Sequence, residues 1–314
     1  MSLRVYTHPA CIAHATGEGH PERPERLGAV IQALRDQVPG IDWREAPRAS
    51  RGQLLRVHSE ALLEAVLDSG AATSMRLDPD TVLSPESPEA ALRAAGSGIA
   101  AVDAVMAGEA TVAFCAVRPP GHHATGGEAM GFCLFNNVAV AAAHALERHG
   151  LARVAIVDFD VHHGNGTQAI FGSEPRVMYL SSHQDALYPG TGAHAERGVG
   201  NMVNVPLPPG TGSRAFREAW SDRLLPELDG FAPQLLLVSA GFDAHWHDPL
   251  AQLQLDADDF AWLTAELRAI ALRHASGRIV STLEGGYDLR ALQEGCVAHA
   301  RALLGEAPEA APGA

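Results

Sequence analysis

The chain has 314 residues, of which 46% are hydrophobic and 19% charged, and its formal net charge is −14. This composition is that of a globular protein with a sizeable core, and it excludes a disordered, collagen-like or coiled-coil chain. The acidic charge disfavours a nucleic-acid partner, because such proteins present a basic face. Apolar runs are far shorter than the ~20 residues that span a bilayer, so we expect no membrane anchor.

The basic and sulfur-containing residues further limit the kinds of functional site that the chain can form. All 23 basic residues are arginine, which excludes a Schiff-base lysine or a phosphate-binding P-loop lysine. The four cysteines lie far apart without a CxxC motif: Cys11, Cys115, Cys133 and Cys296. We predict buried thiols in a reducing compartment. With no signal peptide at the N-terminus, we expect a cytoplasmic protein.

Short apolar runs alternate with longer amphipathic stretches along the chain. The predicted strands are Leu3–Thr7, Thr111–Val117, Arg153–Phe159, Arg176–Ser181, Met202–Pro206, Gln234–Ala240 and Arg278–Leu283. The predicted helices are Pro24–Gln37, Glu60–Ser69, Pro88–Ala107, Phe135–His149, Ser213–Asp229, Ala257–Ala275 and Leu289–Leu304. This alternation predicts an α/β fold with a central, mainly parallel sheet flanked by helices on both faces.

No internal segment is long and polar enough to be an interdomain linker. We therefore predict a single domain over residues 1–304, followed by a frayed tail over 305–314. Ser213 and Asp256 are candidate helix N-caps. The segment HPERPER, residues 20–26, is predicted to be a loop leading into a helix, with its Arg and Glu side chains mostly at the surface.

Four predicted strands end in segments rich in histidine and carboxylates. Ligand sites of open parallel sheets lie outside the carboxyl ends of the strands. The segments are RPPGHHA with His122 and His123; DFDVHHGNGT with Asp158, Asp160, His162, His163 and Asn165; GFDAHWHD with Asp243, His245 and His247; and EGGYD with Glu284, Tyr287 and Asp288.

The spacing in DFDVHHGNGT indicates a metal site. Asp158, Asp160 and His162 alternate, so an extended chain points all three the same way. Asp160 and His162 can then reach one ion, and Asp243 is the best third ligand, which gives a catalytic zinc arrangement with an open water position. Any one of these residues alone is more often a helix-capping aspartate or a hydrogen-bonded histidine of the core. Only the three together favour a metal site.

Two further motifs offer acid–base groups. His122 and His123 can supply a general base and an electrostatic partner, with Asp158 and Asn165 as candidate orienting acceptors. Tyr287 can donate to an oxyanion that develops beside the metal. Taken singly, a tyrosine after two glycines is more often a packed ring.

These motifs resemble the histone deacetylase superfamily, above all its class II branch and the bacterial deacetylase-like amidohydrolases. The resemblance covers roughly residues 3–304 and rests on RPPGHHA, GFCLFNN, DFDVHHGNGT, SSHQDALYPGTG, LVSAGFDAHWHDPL and LEGGYDL. It implies the arginase–deacetylase fold and one catalytic Zn²⁺ held by Asp160, His162 and Asp243. It further implies His123 as general base, His122 bonded to Asp158 as its partner, and Tyr287 as the group that polarises the scissile carbonyl.

The resemblance also implies a substrate tunnel. Phe132 and Tyr188 match its walls, the Gly131 carbonyl faces the substrate amide, and Asp80 matches a rim residue. Leu250 stands where a polyamine-specific branch carries Glu. Arg26 matches an arginine near an internal acetate exit.

A structural K⁺ is implied beside the site, bound by Asp158, Asp160 and His162 carbonyls with Ser181 and Ser182. Asn165 in place of Asp is usual for class II. His163 and Gly164 after the ligand histidine argue against the second metal of an arginase. Tyr287 in place of the His of a weakly active subgroup implies hydrolytic activity.

The sequence thus predicts a zinc-dependent amidohydrolase that removes acetyl groups from acetyl-lysine side chains of proteins or peptides. Three alternatives stay open: a deacetylase of acetylpolyamines or another small acylated amine, a hydrolase of longer acyl groups, and a non-catalytic binding protein. No nucleic-acid or membrane partner is expected, and the oligomeric state is not predicted.

Overall fold

The computed structural model describes residues 2–70 and 73–306, and the strands of this part form one large sheet and one small hairpin. The large sheet contains β1 (Leu3–Thr7), β2 (Asp42–Glu45), β5 (Val112–Cys115), β6 (Val154–Asp158), β7 (Val177–Gln184), β8 (Met202–Leu207), β9 (Leu235–Ala240) and β10 (Ile279–Leu283). The hairpin contains β3 (Met75–Arg76) and β4 (Val82–Leu83), which pair antiparallel.

The helices of the described ranges alternate with these strands along the chain. They are α1 (Pro9–Ala13), α2 (Pro24–Gln37), α3 (Arg51–Leu54), α4 (Glu60–Leu67), α5 (Ser87–Met106), α6 (Asn137–His149), α7 (Asn165–Phe171), α8 (Ser213–Ala219), α9 (Leu225–Phe231), α10 (Ala257–His274) and α11 (Leu289–Leu304).

The eight strands of the large sheet lie in the order β2-β1-β5-β10-β9-β6-β7-β8, and every neighbouring pair is parallel. Strands β6 and β9 are buried along their whole length, as expected for apolar runs covered on both faces. Helices α5, α6 and α7 contact β5, β6 and β7 respectively, whereas α11 packs against both α2 and α10. This architecture confirms the predicted α/β fold with a parallel sheet flanked by helices.

The elements that the sequence did not predict are short or lack an apolar pattern. Strand β2 has the sequence DWRE and only half-buried or exposed side chains, because it is an edge strand. Strands β3 and β4 have two residues each. Helices α1 and α3 are single turns, and α7 begins without a side-chain cap.

The predicted helix over residues 213–229 is interrupted. Helices α8 and α9 are joined by a π-helical turn at Trp220–Leu224. Ser213 is not the N-cap, which is Gly212; the Ser213 hydroxyl donates instead to Asp259 at 2.6 Å. Asp256 is confirmed as an N-cap, since its carboxylate accepts from the N–H groups of Asp258 and Asp259.

One cluster of buried apolar side chains runs from Leu3 to Leu303. The single-domain boundary at residue 304 stays a prediction. Gly305 ends α11 in a left-handed conformation, and residues 307–314 of the predicted tail lie outside the described residues. All four cysteines are buried and free, as predicted. No helix in the described ranges is long and apolar enough to cross a membrane.

Candidate active site

The segments rich in histidine and carboxylates follow four neighbouring strands. Strands β5, β10, β9 and β6 are adjacent and parallel, so their carboxyl ends lie along the same edge of the sheet. This edge is where open α/β sheets bind ligands. The four segments therefore meet at the middle of the sheet, away from its two edge strands β2 and β8.

Asp160, His162 and Asp243 direct their donor atoms to a common point. The His162 Nδ1 atom lies 3.1 Å from Asp160 Oδ1 and 3.1 Å from Asp243 Oδ2, and one ligand atom from each residue lies within 4.8 Å of the others. Burial opposes a charge on His162, but hydrogen bonding to the two carboxylates raises its pKa to about 10. Two buried carboxylates need a positive charge beside them, which either the protonated His162 ring or a metal ion in place of its proton can supply. The set fits a three-ligand catalytic metal site.

The chain reaches this geometry by a bend rather than by the extended path expected from sequence. Strand β6 ends at Asp158, and residues 160–162 form the bend. The N–H of His162 donates to Asp160 Oδ1 at 2.8 Å, and the N–H of Val161 donates to Asp243 Oδ1 at 2.9 Å. Backbone N–H groups therefore orient the carboxylates of Asp160 and Asp243, two of the three candidate ligands.

Two glycines make room for these carboxylates. A Cβ atom on Gly241 would lie 2.0 Å from Asp160 Oδ2, and one on Gly285 would lie 2.0 Å from Asp243 Oδ2. The N–H of Gly285 also donates to Asp160 Oδ2 at 2.8 Å. The close approach of backbone to carboxylate at both positions therefore requires a residue without a side chain.

The two adjacent histidines have different partners and different proton affinities. His122 Nδ1 lies 3.0 Å from Asp158 Oδ2, and His123 Nδ1 lies 2.8 Å from Asn165 Oδ1. Burial opposes a charge on His122, but the neighbouring Asp158 and Asp160 carboxylates raise its pKa well above the usual value. Burial, together with the charges of His122 and His162, lowers the pKa of His123 well below it. His123 is thus kept neutral, as a general base must be.

Glu284 supports the histidine pair from the neighbouring strand. Its Oε2 atom accepts hydrogen bonds from the N–H of Gly121 at 2.6 Å and of His122 at 3.2 Å. Its Oε1 atom accepts from the Ser239 hydroxyl at 3.2 Å. Burial raises the pKa of Glu284 to about 7. The sequence placed this residue at a strand end without a role, and only the adjacency of β5 and β10 reveals it.

Tyr287 is buried beside the same cluster. The Arg26 guanidinium lies over its ring at 4.8 Å from the centroid, and the Asp248 carboxylate accepts a hydrogen bond of 2.7 Å from its backbone N–H. Burial raises the pKa of the phenol well above its usual value, so the hydroxyl keeps its proton. Tyr287 is therefore available as a hydrogen-bond donor.

The expectation that the Arg and Glu side chains of HPERPER lie mostly at the surface holds for Arg23 and Glu25, which are exposed, but it is wrong for the other two. Glu22 and Arg26 are completely buried. Glu22 pairs with Arg26 at 2.9 Å and also with the buried Arg118. Arg26 donates to the carbonyls of Glu284 and Gly286 at 2.6 Å each. Each buried charge therefore has a partner, as burial requires. The hydrogen bonds of Arg26 also link the start of α2 to the backbone just before Tyr287.

A cavity of about 220 Å³ leads from the surface to these groups. It is lined by Asp80, His123, Gly131, Phe132, His162, Leu187, Tyr188, Leu250 and Tyr287. The five residues that the sequence assigned to substrate binding are all in this wall, and Leu187 is an additional member. Their roles toward a substrate stay predictions. The cavity is called the tunnel below.

The tunnel wall at Phe132 depends on the small hairpin. Phe132 has φ of +68°, in the left-handed region that residues other than glycine rarely adopt. Its N–H donates to the buried Thr81 hydroxyl at 3.0 Å. The His20 ring packs edge-on against Phe132, with 4.8 Å between centroids, and its Nε2 lies 3.0 Å from the Asp80 carbonyl. His14, which lies earlier in the chain, is instead buried, and its Nδ1 lies 2.7 Å from the Ser87 hydroxyl.

The remaining predicted site residues lie behind the tunnel. Ser181 and Ser182 are buried within β7, where the Ser181 hydroxyl lies 2.9 Å from His183 Nδ1 and the Ser182 hydroxyl accepts from Trp220 at 3.1 Å. Asp158 is buried next to them, because it pairs with Ser181 across the sheet. The K⁺ assigned to this region stays a prediction. In the loop after β9, His245 is buried and Trp246 is exposed.

Comparisons with known proteins agree with this fold. Residues 20–303 match the model of the histone deacetylase domain. The structure superimposes on the crystal structure of the HDA15 HD domain with a TM-score of 0.92, over 98% of this chain and 89% of that one, at 36% sequence identity. The chain therefore has the fold of a deacetylase domain, and it belongs to the histone deacetylase family.

Relatives within the family carry different names. The chain is 46% identical over 287 residues to the histone deacetylase-like amidohydrolase of Pseudomonas aeruginosa, covering 89% of this chain and 74% of the relative. It is 38% identical to the chloroplastic histone deacetylase 14 of Arabidopsis thaliana, covering 96% and 77%. It is 39% identical to human polyamine deacetylase HDAC10, covering 91% of this chain and 45% of that protein. Membership supports a hydrolase that acts on amides of acetylated substrates. The cytoplasmic location stays a prediction.

Proposed function

We propose that this protein is a zinc-dependent deacetylase of acetyl-lysine side chains in proteins or peptides. The observation that supports it most is that His162, which clusters with the Asp160 and Asp243 carboxylates, lines the same tunnel as His123 and Tyr287. A narrow tunnel walled by Phe132 and Tyr188 suits an unbranched aliphatic chain that ends in an acetamide.

In this proposal each group has a defined task. A zinc ion bound by Asp160, His162 and Asp243 would supply a Lewis acid that polarises the acetamide and acidifies a water molecule. His123 Nε2 takes the proton of the attacking water, while Asn165 holds Nδ1. The Tyr287 hydroxyl donates to the carbonyl oxygen as negative charge develops there.

The leaving amine then needs a proton. The His122–His123 pair, with ring centroids 4.0 Å apart, carries the proton gained from water. Asp158 stabilises the positive charge on His122. The carbonyl of Gly131, a residue of the tunnel wall, is proposed to accept from the substrate amide N–H. Ser181, Ser182 and the carbonyls of residues 158, 160 and 162 are proposed to hold a structural K⁺ behind the site.

A second substrate class, the acetylpolyamines, is supported by a different observation. A relative that is 39% identical is named a polyamine deacetylase, and Asp80 adds a carboxylate to the tunnel wall. Leu250 favours a peptide substrate over an acetylpolyamine, since it provides no charge for a second ammonium group.

The test is steady-state hydrolysis of an acetyl-lysine peptide beside acetylputrescine and acetylspermidine, before and after chelation and zinc addition. We expect a larger kcat/KM for the peptide and loss of activity on chelation that zinc restores. A preference for the acetylpolyamines would transfer the function to small amines. Full activity of the chelated enzyme, with its metal content measured as zero, would remove zinc from the proposal.

A further inference from the structure

A second cavity, of about 470 Å³, opens next to the mouth of the tunnel. Its lining includes Ala61 and Leu62 of α4, Leu77 and Asp78 of the hairpin, and Glu128 and Met130. Two of these segments continue directly into the tunnel wall, because Asp80 follows Asp78 by two residues and Gly131 follows Met130. The cavity, called the side groove below, therefore shares a wall with the tunnel.

Hydrogen bonds hold the walls of the side groove in place. The N–H of Ser59, at the start of α4, donates to the Gly126 carbonyl at 2.7 Å. His58 Nδ1 lies 2.9 Å from the Thr125 carbonyl. Asp78 Oδ1 accepts from the N–H groups of Asp80 at 2.9 Å and Thr81 at 2.5 Å. The groove is thus a built feature, shaped before any ligand arrives.

The side groove combines an apolar lining with negative charge. Leucine, alanine and methionine are its apolar lining residues, and Asp78 and Glu128 are the charged ones; no cationic side chain is among the described residues that line it. Arg76, on the same hairpin, donates to the Pro79 carbonyl. Burial opposes ionisation of Asp78, but the hydrogen bonds from Asp80 and Thr81 lower its pKa, so the carboxylate is charged at neutral pH.

An arginine or lysine side chain matches this lining. Its methylene stem covers apolar surface, while its cationic head stays at a wet, charged rim. An extended peptide advances about 3.3 Å per residue, so a residue near the acetyl-lysine reaches a cavity that shares the tunnel wall. A small acylated amine has no second side chain to place there.

We propose that the side groove binds a basic side chain of a peptide substrate, close in sequence to the acetyl-lysine held in the tunnel. This inference rests on the proposed function and adds a sequence preference to it. Asp78 and Glu128 are the residues that read the charge, and Leu62, Leu77 and Met130 contact the stem.

The groove wall also reaches the acid–base machinery. The Asn165 amide donates to Met130 Sδ at 3.3 Å, while its oxygen holds His123. A side chain that contacts Met130 is thus one residue away from Asn165, which orients the proposed general base. We expect the main effect in KM, because the basic side chain contacts no reacting atom.

The test uses the zinc-loaded, full-length protein and a panel of acetyl-lysine peptides. Each peptide carries one arginine at one of the three positions on either side of the acetyl-lysine, and its matched partner carries neutral, nearly isosteric citrulline there. The enzymes are wild type, Asp78→Asn, Glu128→Gln and the control Glu227→Gln. Glu227 is an exposed residue of α9 outside the groove, so its variant matches the loss of one charge.

At one or more positions we expect the wild type to favour arginine over citrulline by about 2- to 5-fold in kcat/KM, the scale of a partly exposed ion pair. The ratio should fall in Asp78→Asn and Glu128→Gln, stay unchanged in Glu227→Gln, and shrink in 0.5 M salt.

Equal use of arginine and citrulline peptides by an active wild type overturns the inference and leaves the proposed function standing. A preference that survives in both groove variants also overturns it. Failure to hydrolyse any acetyl-lysine peptide, with zinc bound, overturns the proposed function and the inference together.

Discussion

The Asp248 carboxylate accepts a 2.7 Å hydrogen bond from the backbone N–H of Tyr287. Its other oxygen accepts from the N–H of Leu250 at 3.0 Å. One buried carboxylate thus fixes two residues of the tunnel wall, one proposed to act in the reaction and one proposed to contact the substrate. Asp248 touches no reacting atom and is a positioning residue.

Replacing Asp248 by Asn should therefore lower kcat, with changes in Tm and zinc content too small to account for the loss. Loss of one charge-assisted hydrogen bond is worth about 1.5–3 kcal/mol, and we expect kcat to fall about tenfold or more as Tyr287 loses its orientation. Steady-state kinetics, zinc content and Tm are measured together. Asp256→Asn is the control, because that carboxylate also accepts backbone N–H groups but caps α10 outside the site. A fall in Tm and zinc content that accounts for the lost activity would assign Asp248 a purely structural role.

Removing the Tyr287 hydroxyl should slow turnover without emptying the site. One donor to a developing oxyanion is worth about 3 kcal/mol, so Tyr287→Phe should reduce kcat by about 10²- to 10³-fold with zinc still bound. Tyr6→Phe removes the same atom from a buried tyrosine whose hydroxyl donates to the Ala100 carbonyl at 3.2 Å, and should leave kcat unchanged. Wild-type turnover of the Tyr287 variant would take this residue out of the mechanism.

A methyl group on Gly241 should displace a metal ligand. Since its Cβ would lie 2.0 Å from Asp160 Oδ2, Gly241→Ala must move either the carboxylate or the backbone. We expect zinc affinity to fall at least about tenfold, the scale seen when ligand-orienting groups are lost; a competitive chelator titration measures it. Gly28→Ala is the control, because no atom lies within 4 Å of that Cβ. Equal affinities of the two variants would show that Asp160 tolerates displacement.

Stability should depend on pH through His58. Its Nε2 accepts from the N–H of Asn136 at 2.9 Å, and its Nδ1 lies 2.9 Å from the Thr125 carbonyl, so the folded protein requires the neutral ring. Burial lowers its pKa from 6.5 to about 4, against the smaller opposing effect of the Thr125 carbonyl. Between these values the unfolded chain binds the extra proton, and stability is therefore lost as pH falls from 6.5 toward 4.

The His58 contribution is isolated by comparison with His58→Gln. The free energy of unfolding is measured in urea at pH 7.5 and pH 5 for both proteins at the same metal loading. The stability advantage of the wild type should shrink by about 2 kcal/mol between the two conditions, because the other histidines titrate equally in both. An advantage that is independent of pH would contradict the lowered pKa of His58.

The sheet and the candidate metal residues could be predicted because their signals are local. Continuous apolar runs mark β6 and β9, and Asp160 and His162 stand two positions apart just after β6. Asp243 follows the neighbouring strand, and parallel strands deliver their ends to one edge. The spacing predicted the meeting of these residues even though the chain bends where an extended path was expected.

The supporting residues could not be predicted because their contacts join distant parts of the chain. Glu284 meets Gly121 only because β10 lies beside β5, an order that no local pattern encodes. Thr81 sits in a hairpin of two-residue strands that has no periodicity. Glu22 and Arg26 have the composition of a solvated segment, and their burial is tolerable only because they pair with each other and Glu22 also pairs with Arg118.

The left-handed backbone at Phe132 lowers stability, whereas the aromatic side chain at the same position forms part of the proposed substrate tunnel. This conformation costs of order 1 kcal/mol or more for a residue with a side chain, whereas glycine adopts it freely and asparagine adopts it more readily than most. The chain keeps an aromatic ring there nonetheless, anchored by Thr81 and forming one wall of the tunnel. A library selected for thermal stability alone should therefore drift from Phe132 toward Gly or Asn, and its most stable members should be its poorest catalysts.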